Sequence, residues 1–323
     1  MRSADSGVRL FAEKFELLVR TIGSVIIGKR EAVRLALLCL FAEGHLLIED
    51  VPGVAKTSLA KAIARSISGG VVKRIQFTPD LLPTDVTGVQ LFNQKTQEFV
   101  FRRGPVFSNV LLADEINRAA PKTQSALLEV MAERQVTMDG LEYLVEPPFL
   151  CIATQNPIEY HGTYALPEAQ VDRFMMMIRM GYPEHEAEIR VVEQGVARVR
   201  PEFLEPVASL HEITEMIEVA RAVYVSPAIL DYVVTLVERT RSAPETQLGA
   251  SPRASVALAQ AAQAHAASEG RASVYESDVQ EVMLPVLRHR LLLTPDAELN
   301  GTNLDELLIR LRGRVASPTS FAR

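Results

Sequence analysis

Four short apolar runs are spaced along the first half of the chain, at residues 45–49, 110–113, 149–154 and 175–178. Continuous runs of this length are typical of strands buried on both faces of a parallel sheet, and residues 73–77 resemble a further strand. Helical spacing of apolar positions is found at residues 8–22, 29–43, 58–68 and 121–133. Asp139 and Gly140 lie between two strand-like runs, which predicts a hairpin. The first half therefore predicts an α/β domain.

A second hairpin is predicted at residues 89–101, where apolar positions alternate around the polar centre NQKTQ. We expect most of its aromatic side chains, Phe92, Phe99 and Phe101, to pack on the domain. The alternative is a loop presented toward a pore or a partner. For that role the exposed tip around Gln94 and Lys95 is the functional candidate.

From Tyr182 onward the chain becomes rich in Ala, Glu and Arg, and its apolar positions repeat with helical spacing. We therefore place a domain boundary near Pro183. The second part is predicted to be all-helical. Its predicted helices, separated by Pro, Ser and Gly turns, are 184–199, 211–224, 227–242, 252–268 and 277–291, with a short one at 304–311.

Composition narrows the class of protein. The chain has 323 residues, 48% of them hydrophobic, which is enough for two domains with substantial cores. Its 34 basic and 40 acidic residues give a net charge of −6, so no nucleic-acid partner is expected.

No signal peptide or stretch of about eighteen apolar residues is found, which predicts a cytoplasmic protein without a membrane span. Cys39 and Cys151 lie in apolar runs and are predicted to be buried structural thiols.

Asp114 and Glu115 follow the apolar run at residues 110–113 directly. In open α/β sheets, ligands bind at the carboxyl ends of the strands, where these two acids are predicted to lie. One carboxylate can hold a magnesium ion there while the other orients a water, which is a Walker B arrangement. The alternative is that the two acids are solvated side chains at a strand end without a function. A phosphate-binding loop upstream would favour the magnesium site over that alternative.

Such a loop follows the run at residues 45–49 and precedes a predicted helix. Its candidate residues are Asp50, Val51, Pro52, Gly53, Val54, Ala55, Lys56, Thr57 and Ser58. Lys56 would neutralise phosphate oxygens, the Thr57 hydroxyl would face magnesium, and the amides at the helix start would cradle oxygens. The standard pair of glycines is not present. Ala55 is expected to keep a negative φ, and Asp50 is expected to point away from the phosphates or to be paired.

Four further features have both a structural and a functional interpretation. The turn at Ile27 and Gly28 either packs between two helices or lies beside a bound purine. Asn156 either begins an Asn-Pro turn or hydrogen-bonds the γ phosphate or the attacking water. Arg173 and Arg253 are surface charges unless a nucleotide lies beside them.

Taken in order, these segments resemble the MoxR family of AAA+ ATPases over nearly the whole chain. The carriers of the resemblance are EDVPGVAKT, QFTPDLLPTDVTG, LLADEINRAAPKTQSALLEVMAE, ATQNP, LPEAQVDRF and GASPRA. The resemblance implies an AAA+ αβα nucleotide-binding domain with a parallel five-stranded sheet at residues 1–183. An all-α lid domain at residues 184–323 would follow it. The hairpin, at about residues 89–103, resembles the insert within helix 2 that defines this branch of AAA+ proteins.

The resemblance also implies roles for the candidate residues. Lys56 and Thr57 correspond to Walker A, and Asp114 to the acid on the magnesium side. Glu115 corresponds to the base that polarises water, and Asn156 to the sensor that aligns it. The implied cofactors are ATP and Mg²⁺.

Two arginines also have implied roles. Arg253 resembles the second sensor on the lid, which reports on the γ phosphate. Arg173 resembles an arginine finger that enters the site of the neighbouring subunit. The family implies a ring, commonly of six subunits, with ATP at the subunit interfaces. It also implies a partner protein that contains a von Willebrand factor A domain.

Three functions remain as hypotheses. The first is an ATP-hydrolysing chaperone that remodels or matures a protein client. The second is a nucleotide-gated binding module with little hydrolysis, which the loop residues Asp50 and Ala55 would favour. The third is a DNA-directed motor, which the acidic balance of the chain disfavours.

Overall fold

The computed structural model describes residues 2–50, 53–156, 164–197 and 201–318, with side chains in the first helix from residue 6 onward. Its strands are β1 Leu46–Glu49, β2 Ile67–Ser68, β3 Val72–Gln76, β4 Gly88–Asn93, β5 Glu98–Arg103, β6 Val110–Asp114, β7 Gln135–Met138, β8 Leu141–Leu144, β9 Leu150–Gln155, β10 Met176–Ile178, β11 Ala208–Ser209, β12 Thr246–Leu248 and β13 Leu292–Leu293. Its α-helices are α1 Arg2–Gly23, α2 Arg30–Phe41, α3 Lys56–Arg65, α4 Pro83–Thr87, α5 Pro121–Glu133, α6 Glu168–Val171, α7 His185–Val196, α8 Leu210–Arg221, α9 Pro227–Ser242, α10 Pro252–Ser268, α11 Glu276–Leu287, α12 Pro295–Leu299 and α13 Leu304–Arg312.

Five strands form one parallel sheet in the order β10–β1–β9–β6–β3, which confirms the predicted five-stranded sheet. Glu49 at the end of β1 pairs with Gln155 in β9, and Gln76 at the end of β3 pairs with Asp114 in β6. The carboxyl ends of these strands therefore meet at one edge of the sheet. This is the edge where open α/β sheets bind ligands.

The sheet separates two hydrophobic cores, because successive side chains of a strand point to opposite faces. Leu112 and Ile152 belong to the core that α1, α2, α3 and the C-terminal helices share. Leu111 and Cys151 belong to the other core, which α5 covers. The predicted boundary near Pro183 falls between β10 and α7. It stays a prediction, since the first core includes residues from both sides of it.

Cys39 in α2 and Cys151 in β9 are both fully buried, as predicted. Burial raises the pKa of each thiol, so both stay protonated near neutral pH. Neither therefore has the thiolate character that a reactive cysteine needs. Within the described ranges, no helix is both long and apolar enough to cross a membrane.

The second half of the described chain is mainly helical, which confirms the predicted helical lid. Helices α9 and α10 have the predicted bounds, whereas α7 ends at Val196 and residues 198–200 lie outside the described residues. Two short pairings add strands to this half. β11 pairs with β2 of the first half, and β12 pairs with β13. Strands of two or three residues are too short to show a period of two in the sequence.

Both predicted hairpins form, through β4 with β5 and through β7 with β8. The expected packing of the aromatic residues is wrong for Phe92 and Phe99, which are 48% and 68% exposed. Their rings contact each other, with centroids 5.2 Å apart. Phe101 does pack, against Phe107 and Tyr143. Alternation in the sequence predicts the hairpin but not whether another element covers each face.

Candidate functional site

An open cavity of about 420 Å³ lies at the carboxyl edge of the sheet. Its lining residues come from the loop before α3 and from the ends of β3, β6 and β9, namely Gly53, Ala55, Lys56, Thr57, Ser58, Arg74, Gln76, Asp114, Glu115 and Asn156. The structure therefore brings the predicted loop, the acid pair and the polar amide to one place. Four separate segments of the chain meet there, and three of them carry the predicted local patterns.

Asp114 is held from two sides at the end of β6. The Thr154 hydroxyl donates to Oδ1 of Asp114 at 2.6 Å and accepts the amide of Glu115 at 2.9 Å. On the other side, Nη2 of Arg74 donates to Oδ2 of Asp114 at 2.7 Å. Thr154 is fully buried, whereas the Arg74 side chain is half exposed. Thr154 therefore orients the carboxylate permanently, and Arg74 is a partner that a cation in the cavity can replace.

Glu115 has the left-handed φ of 56°, which costs a side-chain-bearing residue roughly 1 kcal/mol or more. Its Oε2 accepts Nε2 of Gln76 at 2.7 Å and lies 3.0 Å from Nε of Arg118. Backbone strain of this kind concentrates at functional sites, where the surroundings hold it in place. The carboxylate thus points into the polar cavity and not toward either core.

The sequence analysis missed Arg74, Gln76, Arg118 and Thr154. Arg74 and Gln76 carried a usable signal, since two polar residues spaced by two positions lie on the same face of a strand. That face meets the acid pair only because β3 lies beside β6 in the sheet. The order of strands is not a local property of the sequence.

The loop before α3 has one feature that contradicts the sequence analysis. Ala55 has a φ of 62°, in the left-handed region, and not the expected negative φ. Nζ of Lys56 donates to the carbonyl oxygen of Asp50 at 3.0 Å, which closes the loop across this strained residue. The Ala55 side chain does not cap α3, and the first helical residues Lys56, Thr57 and Ser58 line the cavity. The first turn of a helix is where phosphate oxygens bind backbone amides.

Asp50 is buried and paired, which is one of the two expected arrangements. Its Oδ2 accepts the backbone amides of Met180 and Gly181, each at 2.6 Å. The Asp50 carboxylate therefore binds the backbone of the segment between β10 and α7. The predicted loop residues Val51 and Pro52 lie outside the described residues.

Ile27 and Gly28 do not line this cavity. Gly28 lines a second cavity of about 310 Å³ between α2, β10 and α11, together with Met180 and Arg288. Its φ is 71°, and a Cβ at this position would lie 2.7 Å from Cβ of Ala187. Ile27 is half-buried beside it. Only glycine therefore fits where this turn meets the start of α7.

Arg173 and Arg253 are also absent from the described lining of both cavities. Nη1 of Arg173 donates to the carbonyl oxygen of Leu128 in α5 at 2.6 Å. Arg253 is exposed in the first turn of α10. Two residues before it, the Ser251 hydroxyl donates to Oδ2 of Asp172 at 2.9 Å. Asp172 therefore adjoins Arg173 in sequence and contacts the residue two positions before Arg253.

Comparison with known proteins identifies the family. Residues 45–176 match the ATPase family associated with various cellular activities, and residues 238–309 match the AAA lid domain. The sequence is 42% identical to Chaperone MoxR1 of Mycobacterium tuberculosis over 321 residues, covering 97% of this chain and 84% of that protein. It is 33% identical to Protein MoxR of Methylorubrum extorquens over 323 residues, covering 93% of this chain and 92% of that protein. The chain belongs to the MoxR family of AAA+ ATPases.

A solved crystal structure supports the same fold. A protein from Cytophaga hutchinsonii superimposes with a TM-score of 0.91 at 36% sequence identity, and the match covers 98% of both chains. The similarity extends over the sheet and the lid, as expected for a MoxR-family protein. The predicted family and the predicted fold class are therefore confirmed.

The donors at the cavity fit a nucleotide with magnesium. Thr57 and Asp114 offer the hard oxygen ligands that Mg²⁺ prefers, and Mg²⁺ usually takes its other ligands from phosphates and water. Within the described ranges, no cluster of three His, Cys, Asp or Glu residues forms an all-protein metal cage. Arg288 lines the second cavity, and its buried Nε has no hydrogen-bond partner among the described residues.

Proposed function

We propose that this MoxR-family protein hydrolyses ATP with Mg²⁺ and uses the hydrolysis to remodel or mature a protein client. The observation that carries the proposal is the cavity that unites the start of α3, Lys56 and the acid pair. A helix N-terminus and a lysine supply positive potential at one side, and two carboxylates face them. This arrangement suits a polyphosphate with a bridging cation.

Each residue has a defined task in the proposed reaction. The loop from Asp50 to Ser58 encloses the β and γ phosphates, with Lys56 as the charge that contacts them. Thr57 and Asp114 would hold Mg²⁺, which would neutralise charge on the phosphate oxygens. Glu115 accepts a proton from the water that attacks the γ phosphorus, as the bond to the β–γ bridging oxygen breaks. Asn156 orients that water.

The contacts of the acid pair must change before this chemistry. Arg74 holds the Asp114 oxygen that a metal would need, and Gln76 holds an oxygen of Glu115. These contacts are the specific observation in favour of the second candidate, a nucleotide-gated binding module with little hydrolysis. In that case both carboxylates would keep these partners after ATP binds.

We further propose that the chain works as a ring, with six subunits as the first expectation. Arg173 and Arg253 do not line the described part of either cavity, and this supports a role for each at another chain's nucleotide. The purine would lie in the second cavity, beside Ile27 and Gly28. The relative in Mycobacterium tuberculosis is named a chaperone. A cytoplasmic location and a partner with a von Willebrand factor A domain belong to the same proposal.

The substitution Glu115→Gln tests the function directly. We expect ATP binding to persist, because glutamine keeps the size of the side chain, while turnover falls by roughly 10²- to 10⁴-fold through loss of the base. Phosphate release and equilibrium binding of a fluorescent ATP analogue measure the two effects. Glu142→Gln, an exposed change in the hairpin of β7 and β8, is the matched control. Equal turnover in both variants would refute the role of Glu115, and negligible turnover of the assembled native protein would favour the gated module.

A further inference from the structure

The segment that carries Arg173 is held by a buried arginine of the lid. Arg290 ends the short 3-10 helix Arg288–Arg290 that follows α11, and its side chain is only 2% exposed. Its Nε donates to Oδ1 of Asp172 at 2.7 Å. Its Nη2 donates to the carbonyl oxygen of Asp172 at 3.1 Å and to that of Phe174 at 2.7 Å. Nη1 donates to the carbonyl oxygen of Met175 at 3.0 Å. The guanidinium thus binds the backbone on both sides of Arg173.

A second contact joins the same segment to the helix that carries Arg253. Oδ2 of Asp172 accepts the hydroxyl of Ser251, the N-cap residue of α10. Arg253 follows two residues later, in the first turn of that helix. One carboxylate therefore contacts both lid segments, with Arg290 at one oxygen and Ser251 at the other.

We propose that Asp172 and Arg290 are positioning residues that hold Arg173 and Arg253 as one unit, so that both arginines act on the nucleotide of the same neighbouring subunit. The proposal rests on the function proposed above, in which Arg173 enters that site. The contacts among Asp172, Arg290 and Ser251 are named the finger clamp. Through the finger clamp, the position of the lid in one subunit determines where Arg173 lies in the next site.

The buried ion pair of Arg290 and Asp172 fixes the segment that carries Arg173. A guanidinium has its donors in a rigid plane, so several simultaneous bonds fix the position and the direction of its acceptors. Because the Arg290 side chain is excluded from water, each broken bond would leave a desolvated charge without compensation. The pair therefore opposes any displacement of the segment relative to the lid. The Arg173 side chain itself contacts a single described carbonyl, at Leu128, which a phosphate oxygen can replace.

The test measures an effect that crosses a subunit interface. Carrier chains with Glu115→Gln bind ATP without hydrolysing it, and they are mixed in equal amounts with native chains. A second substitution in the carrier can then change turnover only at native neighbours. With Asp172→Asn in the carrier, we expect the kcat of native sites that receive Arg173 from a carrier to fall roughly 10- to 100-fold. A displacement of about 1 Å costs roughly 10²-fold in rate.

The controls separate this inference from the proposed function. Glu115→Gln alone sets the baseline, and Glu245→Gln in the carrier removes a different lid carboxylate, one paired with Arg310. Arg173→Ala in the carrier should lower native turnover more than Asp172→Asn does. If Arg173→Ala has no effect on native neighbours, the proposed arginine finger is wrong. If Arg173→Ala has its effect but Asp172→Asn equals the baseline, the finger clamp is wrong and the proposed function remains.

A purely structural role is distinguished by two further measurements. Asp172→Asn keeps the size of the side chain but removes the counter-ion of the buried Arg290, so the unfolding midpoint of the carrier should fall while its oligomeric mass matches that of the baseline carrier. Should this variant fail to assemble, Ser251→Ala removes one bond of the finger clamp and leaves the ion pair intact. It should lower neighbouring turnover by a few-fold at unchanged mass. No effect of an assembled Ser251→Ala carrier would then overturn the proposal.

Discussion

Asp278 in the lid and Asp114 in the cavity are both carboxylates paired with an arginine, yet their surroundings differ. Asp278 is fully buried, with Arg271 and His265 at its oxygens and the amide of Tyr275 at 2.7 Å. Asp114 is 13% exposed, and its partner Arg74 is 51% exposed. Arg271 in the turn before α11 and His265 in α10 both hold Asp278 in the protein interior, whereas the pair of Asp114 and Arg74 lies where a ligand can exchange with the arginine. Access of the partner to water distinguishes a structural ion pair from one that can be displaced.

The pKa of Asp278 reflects this difference in surroundings. Burial alone raises the pKa of this carboxyl, but the hydrogen bonds from Arg271, His265 and the Tyr275 amide outweigh burial, so the pKa is lowered overall. Because the pKa is lowered in the folded state, ionised Asp278 stabilises the fold fully at pH values above the pKa of an unfolded aspartate. That contribution is lost as the pH falls through the folded-state pKa.

The largest expected difference between the two acids is in stability. Asp278→Asn should lower the free energy of unfolding by about 3 kcal/mol, at the low end for a broken buried pair because Arg271 remains a quarter exposed. Asp114→Asn should change it by less than about 1 kcal/mol, since the pair with Arg74 is open to water. Urea unfolding followed by circular dichroism measures both. Equal losses for the two variants would contradict the distinction.

A second test uses His45, another fully buried group with fixed partners. Its Nε2 donates to Met131 O at 3.0 Å and its Nδ1 accepts the amide of Cys151 at 3.1 Å. Burial lowers the pKa of this imidazole to about 4. Because the folded state favours the neutral ring, the stabilisation is complete above pH of about 6.5 and is lost as the pH falls toward 4.

Acidification from pH 7 to 4.5 should lower the free energy of unfolding of the native protein by up to about 3 kcal/mol more than it lowers that of His45→Gln. Urea titrations at several pH values measure the difference. His211→Gln is the matched control, because His211 is 83% exposed. A native protein whose stability falls no more steeply than that of His45→Gln would contradict the neutral, buried assignment.

The smallest expected effect concerns Arg74. Arg74→Ala should strengthen magnesium-dependent binding of a non-hydrolysable ATP analogue by up to about fivefold, since an exposed ion pair contributes roughly 0.2–1 kcal/mol. The matched control is Arg310→Ala, because Arg310 is 48% exposed and pairs with Glu245 in the lid, outside the described lining of both cavities. Calorimetric titration with and without Mg²⁺ measures the change. Weaker binding for Arg74→Ala would show that Arg74 contacts the nucleotide and does not compete with the metal.

Much of the fold could be predicted from local patterns. The apolar run before Asp114 became β6, and α5, α9 and α10 have the predicted bounds, because the period of apolar positions reports burial directly. Ala55 shows the limit of this reasoning. Its left-handed φ costs free energy locally, and only the closed loop around Lys56 and Asp50 holds it there.

The candidate site was predicted in its parts, since a loop before a helix and acids after a strand are each written in a few neighbouring residues. Lys56, Asp114 and Asn156 therefore could be named from the sequence alone. The tertiary structure decided their partners. Gln76 reaches Glu115 only because β3 lies beside β6, and Arg290 reaches Asp172 across 118 positions of the chain. Residue type and local spacing determine which chemistry a segment can offer, whereas strand order and the packing of the lid determine which of these groups meet.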